Sequence, residues 1–148
     1  MRVVQTFFVL IMFAPSITPA GTSADAKLDA AEMQWRTKAP ATYEFTITFH
    51  EMIIPEGCSE RQFHATVAQN IPSRRTDCAV MRTTYSTVPK VFKEMRKLLS
   101  QHWPDVSMEF DPVLGYPREF YIGDNSISDS YFGFTISKFS LGPAKVPN

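Results

Sequence analysis

Residues 110–122 carry the clearest structural signal in the chain, and they read Phe110-Asp111-Pro112-Val113-Leu114-Gly115-Tyr116-Pro117-Arg118-Glu119-Phe120-Tyr121-Ile122. Apolar residues alternate before the turn residues, and an aromatic run follows them. The Asp111 carboxylate can accept backbone N–H groups, Pro112 fixes its own φ, and Gly115 allows φ > 0 without steric cost. We therefore predict a strand, a turn and a second strand, with a structural turn motif formed by Asp111, Pro112, Gly115, Tyr116 and Pro117.

Helical spacing of apolar residues on the N-terminal side of this hairpin predicts two helices. In the first, over residues 24–38, Trp35 is expected to anchor the helix in the core. In the second, over residues 87–101, Thr87 can cap the first turn and Pro89 stands where its missing N–H costs least. Both helices have an apolar stripe, so each should pack one face on a sheet.

Alternation of apolar and polar residues predicts the strands, which cover residues 43–52, 62–68, 106–110, the segment up to 122, 131–139 and a short stretch at 78–82. Residues 54–60, 70–77 and 123–130 are expected to be turns or loops. The order is then helix, two or three strands, helix, three strands. We predict an α+β fold, with an antiparallel sheet of five to six strands and two helices packed on one face.

The N-terminus has the pattern of a secretory signal peptide over residues 1–20, with cleavage as late as residue 24. Arg2 precedes an apolar run, and Thr18-Pro19-Ala20 ends it with small residues. A membrane anchor would need about 20 consecutive apolar residues, and Pro15 interrupts this run too early. We expect export to the periplasm or medium as a soluble protein that is not a lipoprotein, with one domain over residues 25–140 and a disordered tail at 141–148.

The charges are balanced overall, with 15 basic and 15 acidic residues among 148, which argues against a nucleic-acid-binding protein. Their placement is uneven, because eight basic and two acidic residues lie between Arg61 and Lys97, whereas six acidic residues and one basic residue lie between Asp105 and Asp129. The second helix carries four of the basic residues: Lys90, Lys93, Arg96 and Lys97. These form a candidate interaction surface for an acidic protein or peptide partner, and the alternative is a solvated helix face.

Cys58 and Cys78 are the only cysteines. In an exported chain, two cysteines most simply form one disulfide. A loop of this size would stabilise the fold by about 3 kcal/mol in the chain-entropy model.

Motifs for catalysis, metals or cofactors are sparse. His50 and His64 lie on the outward faces of two predicted strands, but a metal site there has no evident third ligand. Residues 124–129 begin like a calcium loop and lack its glycine and final glutamate. Glu109, Asp111 and Glu119 could be drawn as paired carboxylates, although Asp111 is better used by the turn. We assign no catalytic residue, metal or cofactor.

Several segments together resemble a known family: Trp35, Tyr43-Glu44-Phe45, Thr87-Val88-Pro89-Lys90-Val91-Phe92, Met108-Glu109-Phe110-Asp111-Pro112, Gly115-Tyr116-Pro117, Asp124, Asp129 and the strand 134–139. The family consists of small exported bacterial proteins, many of them lipoproteins, labelled domain of unknown function 6174. The resemblance covers residues 28–139 and implies the fold and export, with no catalytic residue. The cysteine pair is spaced more widely here than in the family, and the lipid-attachment cysteine is missing.

Two functional hypotheses follow. The first is a non-catalytic binding or interaction module of the cell envelope or medium, which docks a protein or peptide through its sheet face or its basic helix. The second is a small hydrolase that uses outward histidines and carboxylates of the sheet.

Overall fold

We describe the protein from a computed structural model, which covers residues 23–50, 58, 61–72, 78–127 and 131–142. The predicted signal peptide, the predicted turn at 54–60 apart from Cys58, and residues 143–148 of the predicted tail lie outside these described residues. None of the described helices has the length and apolar character needed to span a membrane.

Three helices and six strands follow each other along the chain: α1 (Ala24–Lys38), β1 (Tyr43–His50), β2 (Gln62–Ala68), β3 (Ile71–Pro72), α2 (Ala79–Thr84), α3 (Val88–Leu99), β4 (Asp105–Phe110), β5 (Pro117–Gly123) and β6 (Tyr131–Leu141). The strands form one antiparallel sheet in the order β3-β2-β1-β6-β5-β4. The first and last strands therefore pair at the centre of the sheet. The α+β prediction is confirmed.

Two local predictions were wrong. Residues 78–82 were expected to form a strand, whereas Cys78 precedes the short helix α2. The third strand is Ile71–Pro72, inside a segment that was expected to be loop. Neither element is long enough to show a periodic pattern of apolar residues. The backbone conformation of each is therefore determined by its contacts with other parts of the fold. In addition, β6 continues to Leu141, two residues further than predicted.

The ends of the two long helices agree with their capping residues. The Ser23 hydroxyl accepts the Ala26 N–H at the start of α1. The Thr87 hydroxyl accepts the Lys90 N–H at the start of α3. These bonds satisfy N–H groups that have no partner within a helix, which is why both helices begin where they do.

Both long helices bury their apolar stripes on the same face of the sheet. Trp35 of α1 meets Tyr43 of β1 edge-on, with 5.3 Å between ring centroids. Phe92 of α3 stacks on Phe110 of β4 at 6.2 Å. The Tyr43 hydroxyl also accepts the Val88 N–H at 3.2 Å, which joins the first strand to the start of α3. The core thus lies between the helices and one sheet face.

The side chains on the opposite sheet face alternate with those of the core. We call this surface the open face. Its central strands carry polar residues: Glu44, Thr46, Thr48, His50, Gln62, His64, Thr66, Thr135 and Ser137. The antiparallel sheet therefore has one face in the core and one that presents hydrogen-bonding groups.

Candidate functional site

The turn after β4 is closed by Asp111. Its carboxylate accepts the N–H groups of Val113 and Leu114, at 3.0 and 2.7 Å. Its backbone carbonyl accepts the Gly115 N–H at 2.9 Å, and Gly115 has a φ of 82°. The carboxylate and the carbonyl of Asp111 thus both accept backbone N–H groups of their own turn. The carboxylate therefore has a structural role and is not part of a carboxylate cluster.

The same turn is tied to α1. The Gln34 amide donates to the Pro112 carbonyl at 2.8 Å, and the Lys38 ammonium donates to the Val113 carbonyl at 3.1 Å. Tyr116 stacks on Phe139 with 4.1 Å between ring centroids. The turn motif therefore joins α1, the β4–β5 hairpin and β6.

The two histidines of the open face bind neighbouring threonines. His50 Nε2 is 3.1 Å from Thr135 Oγ1, and His64 Nδ1 is 3.3 Å from Thr46 Oγ1. Thr46 stands opposite His64 in the β1–β2 register, so four residues of β1 separate the two histidines, or about 13 Å along a strand. Among the residues that the structure describes, no three His, Cys, Asp or Glu side chains lie close enough together to hold a metal ion.

Two glutamates face each other on the open side of the β4–β5 pair. Glu109 lies opposite Glu119 in the register, and both side chains are exposed. Within the described part of the chain, neither forms a hydrogen bond or an ion pair. Like charges in directly opposite positions weaken a strand pair, and no ion pair with another described residue offsets this cost.

The segment that resembles the start of a calcium loop is a turn in its described part. The Asp124 carboxylate accepts both the backbone N–H and the hydroxyl of Ser126, and these bonds lower the pKa of Asp124. Asp129 lies outside the described residues. One carboxylate oxygen of Asp124, Oδ1, is therefore used by its own turn.

Most of the basic residues of α3 have partners. Arg96 pairs with Asp29 at 2.8 Å and with Glu32 at 2.7 Å, and hydrogen bonds to these carboxylates raise the pKa of Arg96. Lys97 pairs with Glu94 at 3.0 Å. Arg96 therefore links α3 to α1, and a large part of the positive charge of α3 is balanced within the domain.

The remaining two lysines of α3 differ from each other. Lys90 donates to the Ser86 hydroxyl at 3.0 Å and to the Arg82 carbonyl at 3.2 Å. Lys93 forms no hydrogen bond or ion pair with any residue that the structure describes, and it borders a shallow cavity of about 190 Å³. Of the four basic residues predicted as an interaction surface, Lys93 is the one whose charge is not engaged by another described residue.

The predicted disulfide between Cys58 and Cys78 is confirmed. It joins the β1–β2 connection to the residue that precedes α2, across a sequence separation of 20. The Cys78 side chain is buried against the core. The bond thus holds the start of α2 at the edge of the core. This segment, residues 78–82, was expected to be a strand.

The open face is ordered by hydrogen bonds between neighbouring strands. The Gln62 amide donates to the Thr48 hydroxyl at 3.1 Å. Thr48 stands opposite Thr135, and Thr135 stands opposite Glu119, so one row of polar residues crosses β2, β1, β6 and β5. The sequence could not show this row, because the pairing of β1 with β6 joins residues about ninety positions apart in the chain.

An aromatic pair lies on the same face. Gly133 leaves room for the Tyr121 ring, since a Cβ atom at residue 133 would come within 2.7 Å of it. Tyr121 stacks on Tyr131 with 5.2 Å between ring centroids. The open face therefore combines hydrogen-bonding groups with a flat aromatic surface at the start of β6.

Comparison with known proteins identifies a family. Residues 27–141 match the model of a family described as Family of unknown function (DUF6174), which agrees with the segments that carried the resemblance. Neither the curated proteins nor the solved structures gave a match.

Proposed function

The chain belongs to this family of unknown function, and we propose that it is a non-catalytic binding module of the cell envelope or medium that contacts its partner through the open face. The observation that carries the proposal is the row of polar residues across four strands, from Gln62 to Glu119. The two threonines at the centre of this row, Thr48 and Thr135, are short and β-branched, so they lose little conformational freedom on binding and form a preorganised centre of the surface.

The arrangement of the histidines supports binding over hydrolysis. Among the described residues, the nearest approach to a catalytic group is Thr46, His64 and Glu44, in which the Thr46 hydroxyl is 3.3 Å from the imidazole and the Glu44 carboxylate is 3.8 Å from it. The Thr46 side chain is only 5% exposed. The backbone N–H groups around it are engaged in the sheet, so they cannot act as an oxyanion hole.

The disulfide supports export. Disulfides persist in oxidising compartments and are rare in the cytosol. The Cys58–Cys78 bond is therefore compatible with a protein that works in the envelope or outside the cell.

Site-specific photocrosslinking tests the contact surface. We expect a photoreactive amino acid at Ser137, which is exposed on the open face, to form an adduct with a partner in extract from the compartment where the protein is recovered. Excess unlabelled protein should compete that adduct away. The matched control is Met33, which is 65% exposed on α1 and lies on the helical side.

Two results would contradict the proposal. If adducts form from position 33 but not from position 137, or from neither position, the open face is not the contact surface. Hydrolysis of an ester, peptide or phosphoester probe that is lost in His64→Ala would support the hydrolase alternative instead.

A further inference from the structure

The two edges of the sheet differ in how well they are protected. The β3 edge has two residues, one of which is Pro72, and proline cannot donate a backbone hydrogen bond. The β4 edge has six residues, Asp105–Phe110, and none is proline. Short strands and proline prevent pairing with another chain, so the fold blocks one edge and leaves the other able to pair.

The hydrogen-bond pattern shows which backbone groups of β4 point away from β5. The Phe49 N–H donates to the Arg61 carbonyl, so the backbone N–H and C=O of Phe49 point toward β2. In an antiparallel sheet these groups reverse direction from one residue to the next. Following the registers from β1 through β6 and β5 to β4 then directs the backbone groups of Val106 and Met108 away from the sheet. The Met108 carbonyl accepts the Lys27 ammonium from α1 at 3.4 Å, which agrees with that direction. The N–H and C=O of Val106 and the N–H of Met108 therefore point away from the sheet.

The side chains along this edge differ between its two faces. On the open face, β4 presents Asp105, Ser107 and Glu109, and Glu119 of β5 lies next to Glu109. On the helical face, the Val106 side chain is 36% exposed. An added strand would therefore meet negative charge on the open face, and on the helical face it would meet the Val106 side chain beside the Lys27 ammonium that binds the Met108 carbonyl.

The same charges disfavour a second copy of this chain at the edge. Antiparallel pairing of two β4 strands centred on Ser107 would place Asp105 opposite Glu109. Pairing centred on Met108 would place Asp105 opposite Asp111. Like charges in opposite positions are destabilising, so the two registers that pair most of β4 with itself are disfavoured. Pairing centred on Val106 opposes Asp105 with Ser107 and keeps only Asp105–Ser107 of β4 paired with itself, so the edge is better matched to a cationic chain.

We propose that β4 binds an extended peptide segment as a seventh strand, with basic residues on the open face and apolar residues on the helical face. The proposal rests on the proposed function, and names the chemistry of the partner. The backbone groups of Val106 and Met108 supply hydrogen bonds, Glu109 and Glu119 attract the basic side chains, and Val106 packs against the apolar ones. Contact with a cation also relieves the repulsion between the two glutamates.

A designed peptide tests the proposal on protein recovered after expression of the full chain. The probe is a capped octapeptide of four Lys-Val repeats with a fluorescent label, and its charge control has four Glu-Val repeats. We expect the lysine peptide to bind at least about tenfold more tightly, with an affinity that falls as salt is raised. Amide exchange at Val106 and Met108 should slow when it binds.

Two further peptides separate strand pairing from charge attraction. One carries N-methylated valines and the other N-methylated lysines, so both keep the charge and lose alternate donors. Only one set of amides faces β4 in a paired strand, so binding should fall by at least about tenfold for one peptide and not for the other. Equal affinities for both would overturn the proposal.

Variants of the protein give an independent test. Val106→Pro removes an N–H that faces solvent, so the fold should be retained while peptide binding falls. Glu109→Lys should weaken binding of the lysine peptide and strengthen binding of the glutamate peptide. This variant tests the proposal even if Val106→Pro does not fold. Dimers that Val106→Pro dissociates would assign the edge to a second copy instead. If the lysine peptide does not bind while Ser137 still crosslinks to a partner, the binding of a seventh strand at β4 is wrong and the proposed function is unaffected.

Discussion

Gly115 packs directly on the backbone of α1 at Ala31. A Cβ atom on residue 115 would lie 2.6 Å from the Ala31 carbonyl oxygen and 3.1 Å from the Trp35 nitrogen. The turn after β4 can approach the helix this closely because residue 115 has no side chain. Its φ of 82° is also a conformation that other residues rarely adopt.

Gly115→Ala should therefore destabilise the fold by at least about 2 kcal/mol, through the positive φ and the contact with helix backbone. Urea unfolding of the variant and the parent protein measures the change. Gly142→Ala is the matched control, since no atom of another described residue lies within 4 Å of a Cβ there, and it should be nearly neutral. Equal midpoints for the two variants would show that the turn does not pack on α1 in this way.

Asp111→Ala should cost about 1 kcal/mol, because the N–H groups of Val113 and Leu114 lose their acceptor. Asp111→Asn keeps a side-chain oxygen in the same position and should cost less. Denaturant midpoints of the two variants give the comparison. Equal losses would indicate that the charge of Asp111, rather than its acceptor geometry, supports the turn.

Tyr43→Phe should destabilise the protein by about 1–3 kcal/mol, since the buried Val88 N–H at the start of α3 loses its acceptor. Tyr116→Phe is a suitable control, because no hydrogen bond of the Tyr116 hydroxyl is found among the described residues. Thermal unfolding of both variants measures the difference. A larger loss in Tyr116→Phe would contradict the assigned role of Tyr43.

The Tyr43 hydroxyl also predicts that the stability of the fold depends on pH in the alkaline range. Burial raises the pKa of Tyr43 from its ordinary value of 10.0 to about 12, and the hydrogen bond from Val88 opposes this rise. The neutral hydroxyl is therefore favoured in the folded state, so its contribution is complete below pH 10 and declines between pH 10 and about 12. Unfolding of the parent protein and Tyr43→Phe across this range should converge as pH rises, and parallel curves would exclude the effect.

The long elements of this fold could be predicted from the sequence because each carries its own periodic pattern and caps. The prediction for α1 agrees at both ends, and Val88–Leu99 lies within the predicted second helix. The short elements could not be predicted for the opposite reason. Ala79–Thr84 has no side-chain cap, and a disulfide at Cys78 holds it in place.

The candidate sites were harder to predict than the fold. The four basic residues of α3 look equivalent in the sequence, but Arg96 is bound by Asp29 and Glu32, more than sixty positions away. The contacts of Arg96 depend on these distant residues, so the local sequence pattern does not contain them. Glu109 and Glu119 differ in this respect, because they lie in one hairpin and the sequence already placed them across the turn from each other; only their register depends on the bulge beside Phe110.

Removal of the disulfide should lower stability. Replacing both Cys58 and Cys78 by alanine should cost about 3 kcal/mol, because the loop between them is no longer restricted in the unfolded chain. Reductant should shift the urea midpoint of the parent protein toward that of the double variant. The double variant itself should not respond to reductant, and a parent protein that is equally insensitive would argue against the bond.

Lys93 and Arg96 distinguish the open face from the basic helix as a docking surface. Arg96→Glu breaks two ion pairs with α1 and should cost about 1 kcal/mol, so loss of binding in that variant would be ambiguous. Lys93→Glu changes a charge that has no described partner, and it should alter stability by less than about 0.5 kcal/mol. Because contact is proposed at the open face, Lys93→Glu should leave crosslinking from Ser137 unchanged. A salt-sensitive loss of that adduct, with an unchanged melting temperature, would instead assign docking of an acidic partner to the basic helix.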